Sequence, residues 1–180
     1  MDEKKKKLTE EQLKKLMSAA CRGRQWFLMR KAEDYNKLAL FLKINGVDSI
    51  ELGQKAYTYE VDLRDETIGG AFILTEKPDM NGGTRWYIAA AAVAPDYRGH
   101  KIGDIMFRKM KKLVREEGAD TIYAAVPEDA PAPDDMEGVS DARSFWKAEG
   151  MKVCDGTAEG YKGTQLFSAP ADDQIEGVEQ

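Results

Sequence analysis

Residues Val93 to Gly103 read V-A-P-D-Y-R-G-H-K-I-G. An apolar stretch, Trp86 to Val93, precedes the turn and reads as a buried strand that stops at Pro95. Asp96 and Tyr97 lead into Arg98-Gly99-His100-Lys101-Ile102-Gly103. From Ile102 the spacing becomes helical, with Ile102, Met106, Met110, Leu113 and Val114 on one face and Gly118 as the stop. A strand that feeds a Gly-containing turn at a helix start is an anion site. The N–H groups of the first turn point outward without intrahelical acceptors, and the helix dipole adds partial positive charge. Glycine lets the backbone approach a phosphate, and Arg98 and Lys101 add side-chain charge. A diphosphate fits such a turn. An ordinary strand–turn–helix unit would use a similar turn, so the flanking order has to discriminate.

That order carries a resemblance. V-x-P-x-Y-R-G-x-x-I-G resembles the acyl-CoA-binding signature of the GNAT N-acetyltransferase superfamily, written [QR]-x-x-G-x-[GA]. Arg98 fills its first position and Gly103 its last, while Lys101 stands where the middle glycine normally falls. The apolar strand, the loop, the amphipathic helix and a second strand at Thr121 to Val126 follow in the superfamily's sequence. Ala142 to Met151 resembles a second family pattern, A-x-x-[FL]-Y-x-x-x-G-F, with Trp146 at the tyrosine position.

At 180 residues and 42% apolar content the chain suits one compact domain with a core. The net charge is −5, basic residues are scattered, and the dense run Lys4 to Lys7 lies in an N-terminal extension. Without a basic face, nucleic acid is not an expected partner. Cys21 and Cys154 show no metal or CxxC spacing and suit a reducing compartment. No metal is expected. The charged N-terminus lacks a signal-type apolar segment, and no run approaches ~20 apolar residues. The expected location is the cytoplasm, away from membranes.

Along the chain, Thr9-Glu10-Glu11-Gln12 is a capping box opening a helix with Leu13, Leu16, Met17 and Ala20 on one face. That stripe covers the domain, pairs with another copy as a homodimer, or stays marginal. Gln25 to Met29 reads as a strand, and Tyr35, Leu38, Phe41 and Leu42 mark a helix ending at Asn45-Gly46. A short helical piece is expected near Ser49 to Leu52. Tyr57 to Leu63 and Ile68 to Thr75 read as a hairpin through Arg64 to Thr67, and Pro78 to Gly83 turns into Arg85 to Val93. Beyond Thr121 to Val126 comes an acidic, proline-containing loop, Pro127 to Gly138. A helix from Asp141 to Glu149 and strands at Met151 to Cys154 and Tyr161 to Ser168 follow. The predicted organisation is an N-terminal helical extension (1–24), an N-acetyltransferase domain (25–168) and an acidic tail (169–180) expected to fray. The fold class is α/β, in the α+β sense. The resemblance implies a central mixed, mostly antiparallel sheet of about seven strands, with helices on both faces, that splays between its fourth and fifth strands.

The resemblance implies acetyl-CoA as co-substrate, with Ala91, Ala92, Val93, Arg98, Gly99, His100, Lys101, Ile102, Gly103, Asp104 and Trp146 against it. Pantetheine amides would pair with the open strand edge as an added strand does. Ala89 to Ala92 are small enough for a thin ligand to lie alongside, although an alanine run also packs tightly under a helix. Family members often place a glutamate where this chain has Ala89 or Ala90, and a tyrosine acid where it has Trp146. An indole is not a general acid, so Trp146 is expected to pack. A backbone N–H near Val93 is left to polarise the thioester carbonyl. Acyl transfer to an amine of pKa near ~10.4 needs a base or a lowered pKa. Glu128, Tyr123 and Glu60 are the replacement candidates, each also readable as a solvated or packed residue. The carboxylates between Glu128 and Glu137 would attract a cationic acceptor, or simply keep the loop solvated. The expected activity is acetyl transfer to a primary amine of a small molecule, peptide or protein. The alternative is an acyl-CoA-binding module or regulator with little catalysis.

Overall fold

The computed structural model describes residues 27–47, 49–63, 67–79, 81–127, 142–154 and 164–172. In chain order the elements are β1 (Phe27–Lys31), α1 (Tyr35–Ile44), β2 (Lys55–Leu63), β3 (Ile68–Pro78), β4 (Thr84–Val93) and α2 (Ile102–Glu116). They continue through β5 (Thr121–Pro127), α3 (Ala142–Ala148), β6 (Lys152–Val153) and β7 (Thr164–Pro170). A single 3₁₀ turn, Pro95–Tyr97, joins β4 to the loop before α2. The strands form one sheet in the order β1-β2-β3-β4-β5-β7-β6. All neighbours are antiparallel except β4 and β5, which run parallel.

Two apolar layers sandwich the sheet. On one face α2 and α3 bury Ile102, Met106, Met110, Val114 and Trp146 against Phe72, Ile88, Ile122 and Phe167. The opposite face receives α1, whose Leu38 and Leu42 are fully buried over Ala71, Ile73 and Ala90. Asp34 caps α1 by accepting hydrogen bonds from the N–H groups of Asn36 and Lys37. Asn45 and Gly46, the latter at φ 95°, end it. Gly70 in β3 lets α2 sit close to the sheet: a Cβ there would lie 2.7 Å from the Met106 sulfur and 3.2 Å from Ile102.

β4 and β5 pair over three positions only, Trp86↔Ile122, Tyr87↔Tyr123 and Ile88↔Ala124. Just past them the β3–β4 register slips, so that Leu74 opposes Ile88 while Ile73 opposes Ala90. Ala89 is the extra residue, a β-bulge. Ile88 therefore faces the α2 layer and Ala90 the α1 layer, two residues apart yet on opposite sides. β4 runs on to Val93 beside β3, β5 runs on to Pro127 beside β7, and the two strands part.

The seven-stranded mixed sheet, the helices on both faces and the splay after the fourth strand are as the sequence predicted. Several boundaries moved. β1 runs to Lys31 rather than Met29, and no helix forms at Ser49 to Leu52. Gly53 instead donates its N–H to the fully buried Thr75 hydroxyl, 2.7 Å away, tying that segment to β3. The strand expected from Met151 shrinks to Lys152–Val153. β7 extends to Pro170, and Ala171 beyond it is fully buried, its N–H donated to the Asp120 carbonyl at 2.8 Å. The predicted N-terminal helix, the acidic loop after Pro127 and the tail from residue 173 lie outside the described residues. Among the described residues no helix is long and apolar enough to cross a membrane.

Because Leu42 is fully buried and Ile44 is 74% exposed, these two side chains of α1, equal in size, should respond differently. Leu42→Ala should destabilise by about 2–5 kcal/mol, and Ile44→Ala should change stability by no more than about 0.5 kcal/mol. Urea unfolding of both variants checks the placement of α1.

Candidate active site

The parting strands open a cavity of about 460 Å³, within the range of small-ligand sites. Its walls come from the end of β4 (Ala91, Ala92, Val93), the loop Tyr97 to Lys101, the first turns of α2, and Phe145 and Trp146 of α3. Asn45 at the end of α1 closes one side, and Asp104 and Glu149 stand together at another. Every residue expected to contact a cofactor lines it except His100. The His100 ring is turned onto its own loop, with Nδ1 donating to the Arg98 carbonyl at 2.7 Å.

The open edge of β4 faces this space. Ala94 gives its N–H to the Gly69 carbonyl on β3, 2.9 Å away. Extended backbone alternates direction, so Val93 and Ala91 point their N–H and C=O groups away from β3, toward the splay. Arg98 demonstrates this orientation, since its Nε donates to the Val93 carbonyl at 3.0 Å. Arg98 Nη1 is buried without a hydrogen-bond partner, and burial lowers the guanidinium from its ordinary pKa. An orphaned guanidinium donor beside an uncapped helix start is a demand for an anion or carbonyl acceptor.

The loop itself is built from two left-handed residues. Gly99 sits at φ 74°, and Lys101, the N-cap of α2, at φ 62° and ψ 13° with no side-chain cap. Lys101 thus holds a backbone shape that glycine, the residue of the family's pattern at this position, adopts freely. Gly103 serves a different need. A Cβ there would lie 2.6 Å from the Phe145 ring, so its missing side chain is what lets α3 close against the first turn of α2. Phosphate approach needs the same bare backbone at that turn.

Trp146 is buried, edge-on to Phe145 at 4.7 Å and 6.0 Å from Phe107, while still lining the cavity. It packs, as expected. Glu60 lies elsewhere. Its register partner Ala71 faces α1, and its nearly buried carboxylate meets Arg30 Nη2 at 3.1 Å, with Asp62 beside the same guanidinium. Burial, then Asp62, pushes the Glu60 carboxyl up, and Arg30 and Lys37 oppose the shift. Tyr123 stands on β5 just before the splay, with the Tyr87 ring at 5.5 Å and the Arg85 guanidinium 5.1 Å over its own ring. Neither Glu60 nor Tyr123 lines the cavity, and Glu128 lies outside the described residues. Sequence reasoning missed Asn45, Tyr97, Met106, Phe145, Ala148 and Glu149 as lining residues. Asn45 and Glu149 each directly precede the glycine that ends a helix, so their only local signal was that of a stop.

Residues 18–133, more than half of the chain, match the model of the acetyltransferase (GNAT) family, and the chain belongs to that family. Its fold is that of acyl-CoA N-acyltransferases, and an acyltransferase class follows from the family. A putative acyl-CoA N-acyltransferase from Klebsiella pneumoniae superposes with TM-score 0.60 at 12% identity, over 81% of this chain and 98% of that one. The IAA acetyltransferase from Bacillus cereus gives 0.56 at 12%, over 80% and 99%. The ribosomal-protein-S18-alanine N-acetyltransferase from Escherichia coli gives 0.54 at 12%, over 86% and 98%. At these identities the likeness is one of fold. A sequence search of curated proteins finds none that matches.

The loop geometry makes opposite forecasts for two neighbouring positions. Lys101→Gly should stabilise the fold by about 0.5–1 kcal/mol by relieving the left-handed side chain. Gly103→Ala should destabilise it by about 1–3 kcal/mol, because the added methyl pushes Phe145 and α3 away. Thermal unfolding of the two single variants checks both signs.

Proposed function

We propose that the chain is an acetyl-CoA-dependent N-acetyltransferase that acts on a primary amine of a small molecule, peptide or protein. One observation carries this reading. The cavity joins an uncapped helix N-terminus, a buried arginine with an unpartnered Nη1 and the free edge of β4, the three groups that a diphosphate joined to a chain of amides would use. The thioester supplies an activated acyl carbon. Transfer forms the amide C–N bond, breaks the C–S bond, and moves one proton from the amine and one onto the leaving sulfur.

In this reading the backbone N–H groups of the Arg98 to Gly103 loop take the diphosphate, with Arg98 and Lys101 adding side-chain charge. The Val93 and Ala91 edge orients the pantetheine arm, and a Val93 N–H polarises the acyl carbonyl. Trp146 fills space against the arm and donates no proton to sulfur, which takes its proton from solvent. Glu128 is proposed to accept the amine's proton, directly or through water, and the acidic stretch Glu128 to Glu137 to draw a cationic acceptor.

A second reading, an acyl-CoA-binding regulator, is favoured by Trp146 at the place of the family's acid and by alanines at 89 and 90. Calorimetry with CoA, followed by a thiol-release assay over an amine panel, separates the two. The enzyme gives binding and turnover, and the regulator gives binding alone. Gly103→Glu should abolish CoA binding, because it puts a side chain and a negative charge at the helix start, and unchanged affinity in that variant would sink the site assignment. Trp146→Phe should keep most of the turnover; a drop of ~10³-fold with CoA affinity intact would reveal a chemical role for the indole. Replacing Asp129, Asp134, Asp135 and Glu137 with amides should raise the acceptor KM and flatten its salt dependence without moving the acetyl-CoA KM.

A further inference from the structure

Two carboxyl groups line the cavity beside its anion-facing helix end. Asp104 belongs to the first turn of α2, and Glu149 follows α3 directly. Both face the same cavity, and the Asp104 carboxyl stands close enough to Glu149 to raise its pKa. A carboxylate has acceptor atoms only, so two neighbouring carboxyl groups can hydrogen-bond only when one of them holds a proton. Helix packing imposes the approach. Phe145 sits against bare Gly103, the Glu149 N–H donates to the Phe145 carbonyl at 3.0 Å, and Gly150 at φ 84° turns the chain away toward β6. Burial, reinforced by the hydrogen bond and charge of Asp104, raises Glu149 to about 7 against the pull of Lys111 and Arg108. The other charged groups that line the cavity are Arg98 and Lys101, on the loop before α2.

We infer that Asp104 and Glu149 form a proton-sharing pair that couples cofactor binding to proton uptake, so that acyl-CoA binds more tightly as the pair gains its proton. This rests on the acyl-CoA reading above. A diphosphate at the start of α2 next to two ionised carboxylates would put three negative centres on one rim. One proton from solvent, added to a carboxyl oxygen of the pair, removes one of them. Linkage is reciprocal: the seated anion raises the pair's hold on its proton, and the proton raises affinity for the anion by the same factor. The pair thus sets a pH window for loading the site, a property that neither carboxyl has alone.

The free protein supplies a first test. Between the ordinary Glu149 value of 4.5 and about 7, the folded chain holds a proton that the unfolded chain has released, so stability should fall as pH rises through that window. The pH dependence of thermal unfolding should therefore be flatter in Glu149→Gln than in the parent. The second test is calorimetry with CoA at pH 7 in two buffers of different ionisation heat. The parent should take up about 0.5 proton per CoA and bind about fivefold to tenfold more tightly at pH 6 than at pH 8.5. Two other sources of pH dependence are controlled directly. Dephospho-CoA lacks the phosphomonoester that titrates near ~6, and His100→Gln removes the loop's imidazole. With dephospho-CoA, His100→Gln should keep the uptake, Glu149→Gln should lose it, and Asp104→Asn should reduce it. CoA binding with undiminished uptake in both carboxyl variants overturns the inference and leaves the cofactor reading standing. No CoA binding at any pH from 6 to 8.5 overturns both.

Discussion

β4 and β5 lie side by side from Trp86 to Ile88 and from Ile122 to Ala124, and past that short parallel pairing their backbone groups face a gap. The gap is expensive in an ordinary sheet, because buried N–H and C=O groups need partners. Here each strand stays anchored on its outer side, β4 on β3 as far as Val93 and β5 on β7 as far as Pro127. The bulge at Ala89 bends β4 at the point of separation. Cavity, exposed strand edge and helix start all descend from that single break in pairing.

The helix that crosses from β4 to β5 then has to bring its positive end to the mouth of the gap. Two glycines make this geometrically feasible by absence of side chain: Gly70 lowers α2 onto β3, and Gly103 lets Phe145 and α3 close over its first turn. Close packing makes the result stiff, since a misplaced methyl at either glycine meets a neighbour below normal contact distance. The same closure puts Glu149 on the cavity wall with Asp104, so one packing contact both shapes the start of α2 and brings two carboxyl groups to the cavity. Arg98 is spent partly on structure, its Nε holding the Val93 carbonyl, with Nη1 left over.

The split between packing and chemistry explains which residues were hard to read. Trp146 stands at a position that a family pattern gives to a proton donor, yet its surroundings are Phe145 and Phe107, and its place is that of an aromatic in a core. Glu60 looked available on a strand, but strand alternation sends it to the α1 face, where Arg30 and Asp62 surround it. Alternation alone predicts a residue's face only while the register is unbroken, and the Ala89 bulge reverses it within four consecutive alanines.

Local physics determined much of this protein from sequence alone. The helical spacing after Ile102, the turn residues from Pro95 to Gly99, and the stops at Asn45-Gly46 and Gly118 depend on neighbours a few positions away, and the structure keeps them. The succession of strands and helices along the chain and the loop's likeness to a known signature were legible for the same reason. Tertiary structure decided what depends on distant residues. It placed the bulge at Ala89, and it held Lys101 in a left-handed conformation that its own side chain disfavours. It turned His100 onto its own loop and continued β7 to Pro170 beside β5. Asp104 and Glu149 are 45 positions apart in the numbering, and no periodicity links them. They meet because α3 packs on the start of α2, a contact set by ring against bare backbone rather than by either carboxyl's own surroundings in the chain.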